Sequence, residues 1–484
     1  MNVLLVASEM APYAKTGGLG DVVGALPKRL RQLGHDVRVF VPLYNTIDTR
    51  KVTFTAVGDP YDVHVGHHRY TVRLFSPADD AATFFVYCPE LYHRGRLYTN
   101  DPDEHRRFLV LGHAALIAAQ KMQFAVDILH CNDWQTGLLP LTLKVRYSWD
   151  RLFANTKTLL SIHNLNYQGV FPAAVLHDTH LSDAAHLFHQ DQLNHEHGGR
   201  INFMLHGIMY ADGVSTVSPT YAKEIQTPEH GAGLDAFLRA RTTTVVGILN
   251  GVDYEDWSPE KDRHIAFPYT AESLDLKEKN KEALLGKMGL PYVPGVPVVG
   301  IVSRLVGQKG FELLGPTLPE LLKRRTFQLV VLGNGESGLE QMFSHFQRHF
   351  PKKVSFYRGF SNPLAHMIEA GSDLFLMPSR YEPCGLNQLY SLRYGTVPVV
   401  HRTGGLADTV EPWHPQTGTG TGFLFDHHDA PGLRWAMNAA LDSYRDPTRW
   451  RRLMLNGMSR DFSWDKQIKL YELVYQRLIQ SKSA

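Results

Sequence analysis

The chain has 484 residues, 43% of them apolar, and its 50 lysines and arginines nearly balance 48 aspartates and glutamates for a formal net charge of +2. That length exceeds what one hydrophobic core usually supports, so two domains of similar size are expected. The near-neutral balance excludes the global positive field that holds nucleic acid or an anionic membrane surface. Three dispersed cysteines, Cys88, Cys131 and Cys384, form no C-x-x-C pair, which argues against a disulfide framework or zinc knuckle and fits a reducing compartment. The apolar run from Val3 to Ala7 meets Glu9 at once, and no stretch approaches the ~20 uninterrupted apolar residues of a membrane span. A cytoplasmic protein is therefore expected.

In chain order, NVLLVA reads as a strand, followed by a glycine-rich turn and a helix carrying Val22, Val23, Leu26, Leu30 and Leu33 on one stripe, with Gly34 as its stop. A second strand follows in VRVFV, where Val37, Val39 and Val41 alternate. Strand followed by helix recurs at DILH (127–130), TLLSI (158–162) and GVSTVS (213–218), the pattern of a parallel, doubly wound sheet. From Asn250, NGVDYEDWSPEKD is rich in turn formers and charge, so a domain boundary is expected between residues 249 and 250. A second αβ series then runs through PVVGIVS (297–303), FQLVVLG (327–333), VSFY (354–357), DLFLMPS (373–379) and TVPVV (396–400). Two Rossmann-like domains facing a cleft are the simplest reading, and the segments just past each strand are where ligands of such sheets bind.

The first such segment is KTGGLGDV (15–22), where Gly17, Gly18 and Gly20 let backbone approach a ligand at a helix N-terminus and Lys15 adds a cation suited to a diphosphate. A plain tight turn is the competing reading. The spacing is not G-x-G-x-x-G and no Walker motif occurs, which disfavours nicotinamide and P-loop chemistry. In SRLVGQKG, Arg304 and Lys309 flank a turn at Gly307; they are either two solvated cations or a grip on one diphosphate. In SRYEPCGLNQLYSLRYG (379–395), Glu382 follows a strand and precedes a helix expected near Gly385. It is either a helix-terminal acid or a carboxylate for sugar hydroxyls and for charge at an anomeric carbon, with the amides of Gly385 and Leu386 as donors. RTGGLADTV repeats the theme at Thr403, Gly404 and Gly405. HCNDW presents Asp133 after a strand ending at His130, and SIHNLNYQG presents His163; a structural histidine and a helix N-cap are the competing readings. The histidines from His177 to His197, including His180, His186, His189 and His195, lack metal-ligand spacing and are expected on a solvated surface.

Taken together, KTGGLGDV, HNLNYQG, VSPTYAKEI, LNGVD, SRLVGQKG, RYEPCGLNQLY and RTGGLADTV occur in the order found in bacterial glycogen synthases and plant starch synthases, and the chain resembles that family over nearly its whole length. The resemblance implies a GT-B fold and retaining transfer of glucose from ADP-glucose to the non-reducing end of an α-1,4-glucan. It implies no metal, no cofactor, and a C-terminal helix, seen in DFSWDKQIKLYELVYQ, that returns to the first domain. Carried over by position, Lys15 resembles the donor-binding lysine, with Gly17, Gly18 and Asp21 beside it at the substrate. Arg304 and Lys309 resemble a diphosphate clamp and Glu382 the acid of the E-P-C-G-L segment, whose Cys384, Gly385 and Leu386 also bind substrate. His163 resembles the residue at the transferring glucose, Asp133 the acid of an H-D-W segment and Asn250 a further sugar-site residue, while Thr403, Gly404 and Gly405 would face the phosphates. Asn132, where histidine is common, and Leu205, where lysine is common, depart from the family pattern at positions expected to bear on acceptor handling. A glucan-binding or regulatory protein without turnover is the rival reading. Association with copies of itself is compatible with the sequence.

Overall fold

A computed structural model describes residues 1–194, 198–241 and 245–481, and His195 and His197 of the histidine-rich stretch lie outside the described residues. The chain divides into two compact units. The first comprises Met1–Val217, Ala222–Ile248 and the residues from Trp464 on; the second comprises Ser218–Tyr221 and Leu249–Ser463.

The strands of the first unit are β1 (Asn2–Val6), β2 (Asp36–Pro42), β3 (Phe54–Val65), β4 (His68–Pro77), β5 (Thr83–Tyr87), β6 (Ile128–Asn132), β7 (Lys157–Ile162), β8 (Val170–Pro172), β9 (Arg200–Asn202), β10 (Gly213–Thr216) and β11 (Val245–Gly247). Nine of them form one sheet in the order β11-β10-β7-β6-β1-β2-β5-β4-β3, while β8 and β9 pair separately and antiparallel. Pairing is parallel from β11 to β5. Val3 to Val6 are wholly buried because β1 is central and covered on both faces, the reason its sequence is an unbroken apolar run. At the other edge β4 pairs antiparallel with both β3 and β5, an extension that the expected purely parallel sheet lacks. The first half of β3 is largely exposed, so it carries too few apolar residues to read as a strand.

The helix Gly18–Gln32 buries Leu19, Val22, Val23, Leu26 and Leu30. Leu33 departs from the expected stripe: it caps the helix and is 48% exposed, because the backbone leaves helical geometry there. The helix Trp464–Gln480 belongs to the first unit. Its Tyr475 hydroxyl lies 2.8 Å from His130 Nδ1 of β6, its Glu472 3.1 Å from His35, and its Asp465 3.5 Å from Arg29.

The second unit contains β12 (Val298–Leu305), β13 (Gln328–Gly335), β14 (Val354–Arg358), β15 (Leu374–Met377), β16 (Val397–His401) and β17 (Phe423–Phe425), all parallel, in the order β14-β13-β12-β15-β16-β17. Successive residues pack into two different cores. Val299, Ile301, Val331 and Leu376 join one, and Val298, Val330, Leu332 and Phe375 the other. A sheet clothed by helices on both faces has this signature. No helix among the described residues is long and apolar enough to cross a membrane.

Candidate functional site

In the second sheet β12 lies between β13 and β15, so the direction of strand addition reverses between β12 and β15. Open parallel sheets bind ligands beyond the carboxyl ends of their strands at such a reversal. The segment after β12 is the turn Gly307–Lys309; the segment after β15 runs through Ser379 and Glu382. Lys309 Nζ donates to Glu382 Oε2 at 2.6 Å and Ser379 Oγ donates to the same oxygen at 2.8 Å. The side chains of Lys309 and Glu382 are 17% and 7% exposed. Arg380 N donates to Gln308 O at 2.9 Å, which stitches the two loops together below the ion pair. Glu382 Oε1 accepts no hydrogen bond from the described residues, so that oxygen keeps its capacity for a ligand hydroxyl.

The third strand end contributes backbone. Gly404, at φ +44°, opens the helix Gly404–Thr409 behind Thr403, and a Cβ there would sit 2.0 Å from the Glu382 carbonyl oxygen. Gly405 N donates to that carbonyl at 3.1 Å. The glycine pair therefore allows the Glu382 loop to lie directly on the helix start. Cys384 Sγ accepts from Asn250 N at 3.4 Å, and burial pushes its thiol up to about 12. Asn250 is 3% exposed and its side-chain Oδ1 has no hydrogen-bond partner. Gly385, at φ +75°, and Leu386 form the turn into a helix that begins at Asn387, two residues later than expected. Arg304 stands apart. It is an exposed residue inside β12, because that strand continues to Leu305, past the expected end at 303.

The first sheet reverses between β1 and β6. After β6, Asp133 adopts φ +54° and ψ −171°, a sparsely populated conformation for a residue with a side chain. Its carboxylate does not cap the following turn. It accepts instead from His163 N at 2.7 Å and Asn164 N at 3.3 Å, beyond β7. Burial pushes this acid up to about 7 against those two amides, with the charge of Glu9 adding to the rise. His163 is held neutral by burial, down to about 3. Its Nε2 lies 3.0 Å from Asn132 Oδ1, so Nε2 carries the proton, and Nδ1 is left buried without a partner. Asn132 itself donates to Val6 O at 3.1 Å, which fixes the amide that orients His163. Leu205 is fully buried in the helix Phe203–Tyr210, which a lysine could not occupy without leaving its charge in the core.

After β1, Lys15 Nζ is 2.6 Å from Asp21 Oδ1, and Gly17 precedes the helix that starts at Gly18. Sequence reasoning missed Glu9, which organises this loop. It is 3% exposed and accepts from Thr16 N, Thr16 Oγ1 and Tyr98 Oη, each at 2.6 Å, and from Gly17 N at 3.2 Å. A lone acid between a strand and a proline carries no periodic signal; only its partners reveal it. The sequence likewise marks Ser379 only as a strand end. In the histidine-rich stretch His177 and His186 are exposed, His180 Nε2 donates to His64 O at 2.8 Å, and His189 packs against Phe237. Among the described residues no group of three or more histidines, cysteines or carboxylates is arranged to hold a metal.

Residues 2–240 match the family model described as starch synthase catalytic domain, and residues 292–453 match glycosyl transferases group 1. A glycogen synthase of Koribacter versatilis is 44% identical over 489 aligned positions, covering 100% of this chain and 99% of the relative. A glycogen synthase of Anaeromyxobacter sp. is 44% identical, covering 99% of both. The catalytic domain of starch synthase IV from Arabidopsis thaliana, solved with ADP and acarbose, superposes with a TM-score of 0.92 at 33% identity, covering 99% of both chains. Full-length identity of this order, on a fold of two parallel-sheet units of the GT-B type, shows that the chain belongs to the glycogen and starch synthase family of glycosyltransferases.

Proposed function

We propose that this chain transfers the glucosyl group of ADP-glucose to the 4-hydroxyl at the non-reducing end of an α-1,4-glucan, with retention of the α configuration. The observation that carries the reading is the Lys309–Glu382 pair at the reversal point of the second sheet, seated on the Gly404–Gly405 backbone. A lysine beside a carboxylate can serve two ligand parts at once. Of its three donors one is held by Glu382, and the others are free to neutralise a departing diphosphate. Arg304, on the strand that leads into the Lys309 turn, supplies a second, planar cation, and Lys15 is proposed as a further donor-binding residue. Glu382 Oε1 accepts a hydroxyl of the transferring sugar, as does Asn250 Oδ1, buried and unpartnered; within the first unit His163, whose buried Nδ1 is likewise unpartnered, is proposed as a sugar-binding residue.

The reaction breaks the bond from C1 to the diphosphate oxygen, whose electron pair leaves with ADP. The acceptor O4 then bonds to C1 from the same face, and its proton passes to the leaving phosphate oxygen. Retention by hydrolase-like double displacement needs two carboxylates ~5 Å apart. The second-unit loops present Glu382 paired to a lysine instead, which favours assistance by the leaving group.

Purified protein given ADP-glucose and glycogen is expected to release ADP and lengthen glucan chains, with a higher initial rate than with UDP-glucose. Binding of glycogen with no nucleotide release would replace this reading by a glucan-binding protein without turnover.

A further inference from the structure

We infer that Glu9 is a positioning residue for Lys15, acting as an internal anion that sets the glycine-rich loop before any substrate arrives. This rests on the donor role proposed for Lys15. Amides at a loop entering a helix usually wait for an external anion. Here the Thr16 and Gly17 amides are already taken by the Glu9 carboxylate, at 2.6 and 3.2 Å, and the Thr16 hydroxyl by its other oxygen at 2.6 Å. The carboxylate is itself fixed from the far side. Ser8 Oγ is 2.8 Å from the Tyr98 hydroxyl, which donates to Glu9 at 2.6 Å, and Tyr44 donates to Ser8 O at 2.9 Å. A chain of bonds thus runs from the end of β1 into the two residues that follow Lys15.

Lys15 is drawn in by the same arrangement. A Cβ on Gly20 would lie 3.0 and 3.1 Å from Lys15 Cγ and Cβ and 3.4 Å from Glu9 Oε2, so the bare Gly20 backbone is the surface on which the lysine stem rests beside the carboxylate. Asp21 then holds the ammonium at 2.6 Å. The lysine has stem and head defined by neighbours, although it lies on an exposed turn. Ordering it in advance lowers the entropy lost when an anion engages it.

The test is a cycle of Glu9→Ala, Glu9→Gln, Lys15→Ala and the Glu9→Ala/Lys15→Ala pair in the full chain, read as kcat/KM for ADP-glucose and, separately, KM for glycogen. Lys15→Ala is expected to lower kcat/KM for the donor by roughly a hundredfold. Glu9→Ala should lower it at least about tenfold, and the double variant should fall within about threefold of Lys15→Ala alone, since residues acting through one another are not additive. Glu9→Gln, which keeps an acceptor oxygen for the two amides, should recover part of the loss, and KM for glycogen should hold. Full additivity in the double variant, or Glu9→Ala turnover equal to wild type, overturns the inference while leaving Lys15 at the donor. A silent Lys15→Ala overturns both. Should Glu9→Ala fail to fold, Thr16→Val and Tyr98→Phe, each removing one bond to the carboxylate, replace it in the same cycle.

Discussion

Replacing Lys309 by alanine separates the chemistry from the architecture of the second unit. The ammonium lies 2.6 Å from a carboxylate that is 7% exposed, and among the described residues the only other hydrogen bond to that carboxylate comes from Ser379. Losing a preorganised charge aimed at a leaving group costs about 2.7–4 kcal/mol in the transition state, so kcat should fall by roughly two to three orders of magnitude. The same change strands Glu382 as a buried charge with one donor, a situation that costs up to about 3–5 kcal/mol of stability in fully buried pairs and less here, since Lys309 is 17% exposed. Adding Glu382→Gln removes the stranded charge. The double variant should therefore recover most of the lost stability and none of the lost turnover. Release of ADP, incorporation of labelled glucose into glycogen, and denaturant midpoints at neutral pH give the three readings. A folded Lys309→Ala protein within tenfold of wild-type turnover would refute the role assigned to the pair.

Gly404→Ala should cut turnover more than tenfold with the fold retained, because the new Cβ meets the Glu382 carbonyl at 2.0 Å and displaces the loop; circular dichroism and initial rates check it. Asp133 is raised from 3.8 to about 7, so folding favours its protonated form and its contribution to stability falls as pH rises from about 4 to 7. His163, lowered from 6.5 to about 3, contributes stability that rises over about pH 3 to 6.5, opposing it. Asp133→Asn removes the falling component alone, so between pH 4 and 7 the variant should gain on wild type by about 2–4 kcal/mol in urea titrations. Tyr475→Phe leaves His130 Nδ1 buried without its partner and should destabilise the first unit by about 1–3 kcal/mol, read as a lower denaturant midpoint.

The apolar strands were legible because both faces of each parallel sheet are buried, which writes the strand as a continuous run, as in NVLLVA and FQLVVLG. The β3–β4–β5 extension was not, since its outer strand is half solvated and its residues resemble a loop. Glu382, Lys309 and His163 could be picked out because they lie in the segments just past strands. Their pairings could not, as the Lys309–Glu382 bond joins residues 73 apart and depends on β12 and β15 lying side by side. Arg304 shows the limit of reading ends from apolar runs, because the β12 ladder carries on through a charged residue opposite Asn334. Glu9 shows another, for a buried acid is announced by its bonds and not by its neighbours in the chain.

Because the helix Trp464–Gln480 completes the first unit, about 200 residues of the second must leave the ribosome before it is made. At bacterial and eukaryotic synthesis rates that is a wait of roughly 10–40 s. Throughout it the nascent first unit lacks the hydroxyl of Tyr475 and the carboxylate of Glu472, and His130 and His35 stand without them. Chaperone demand during translation should accordingly track the length of that interval, and a circular permutant that begins at Trp464 should shorten it.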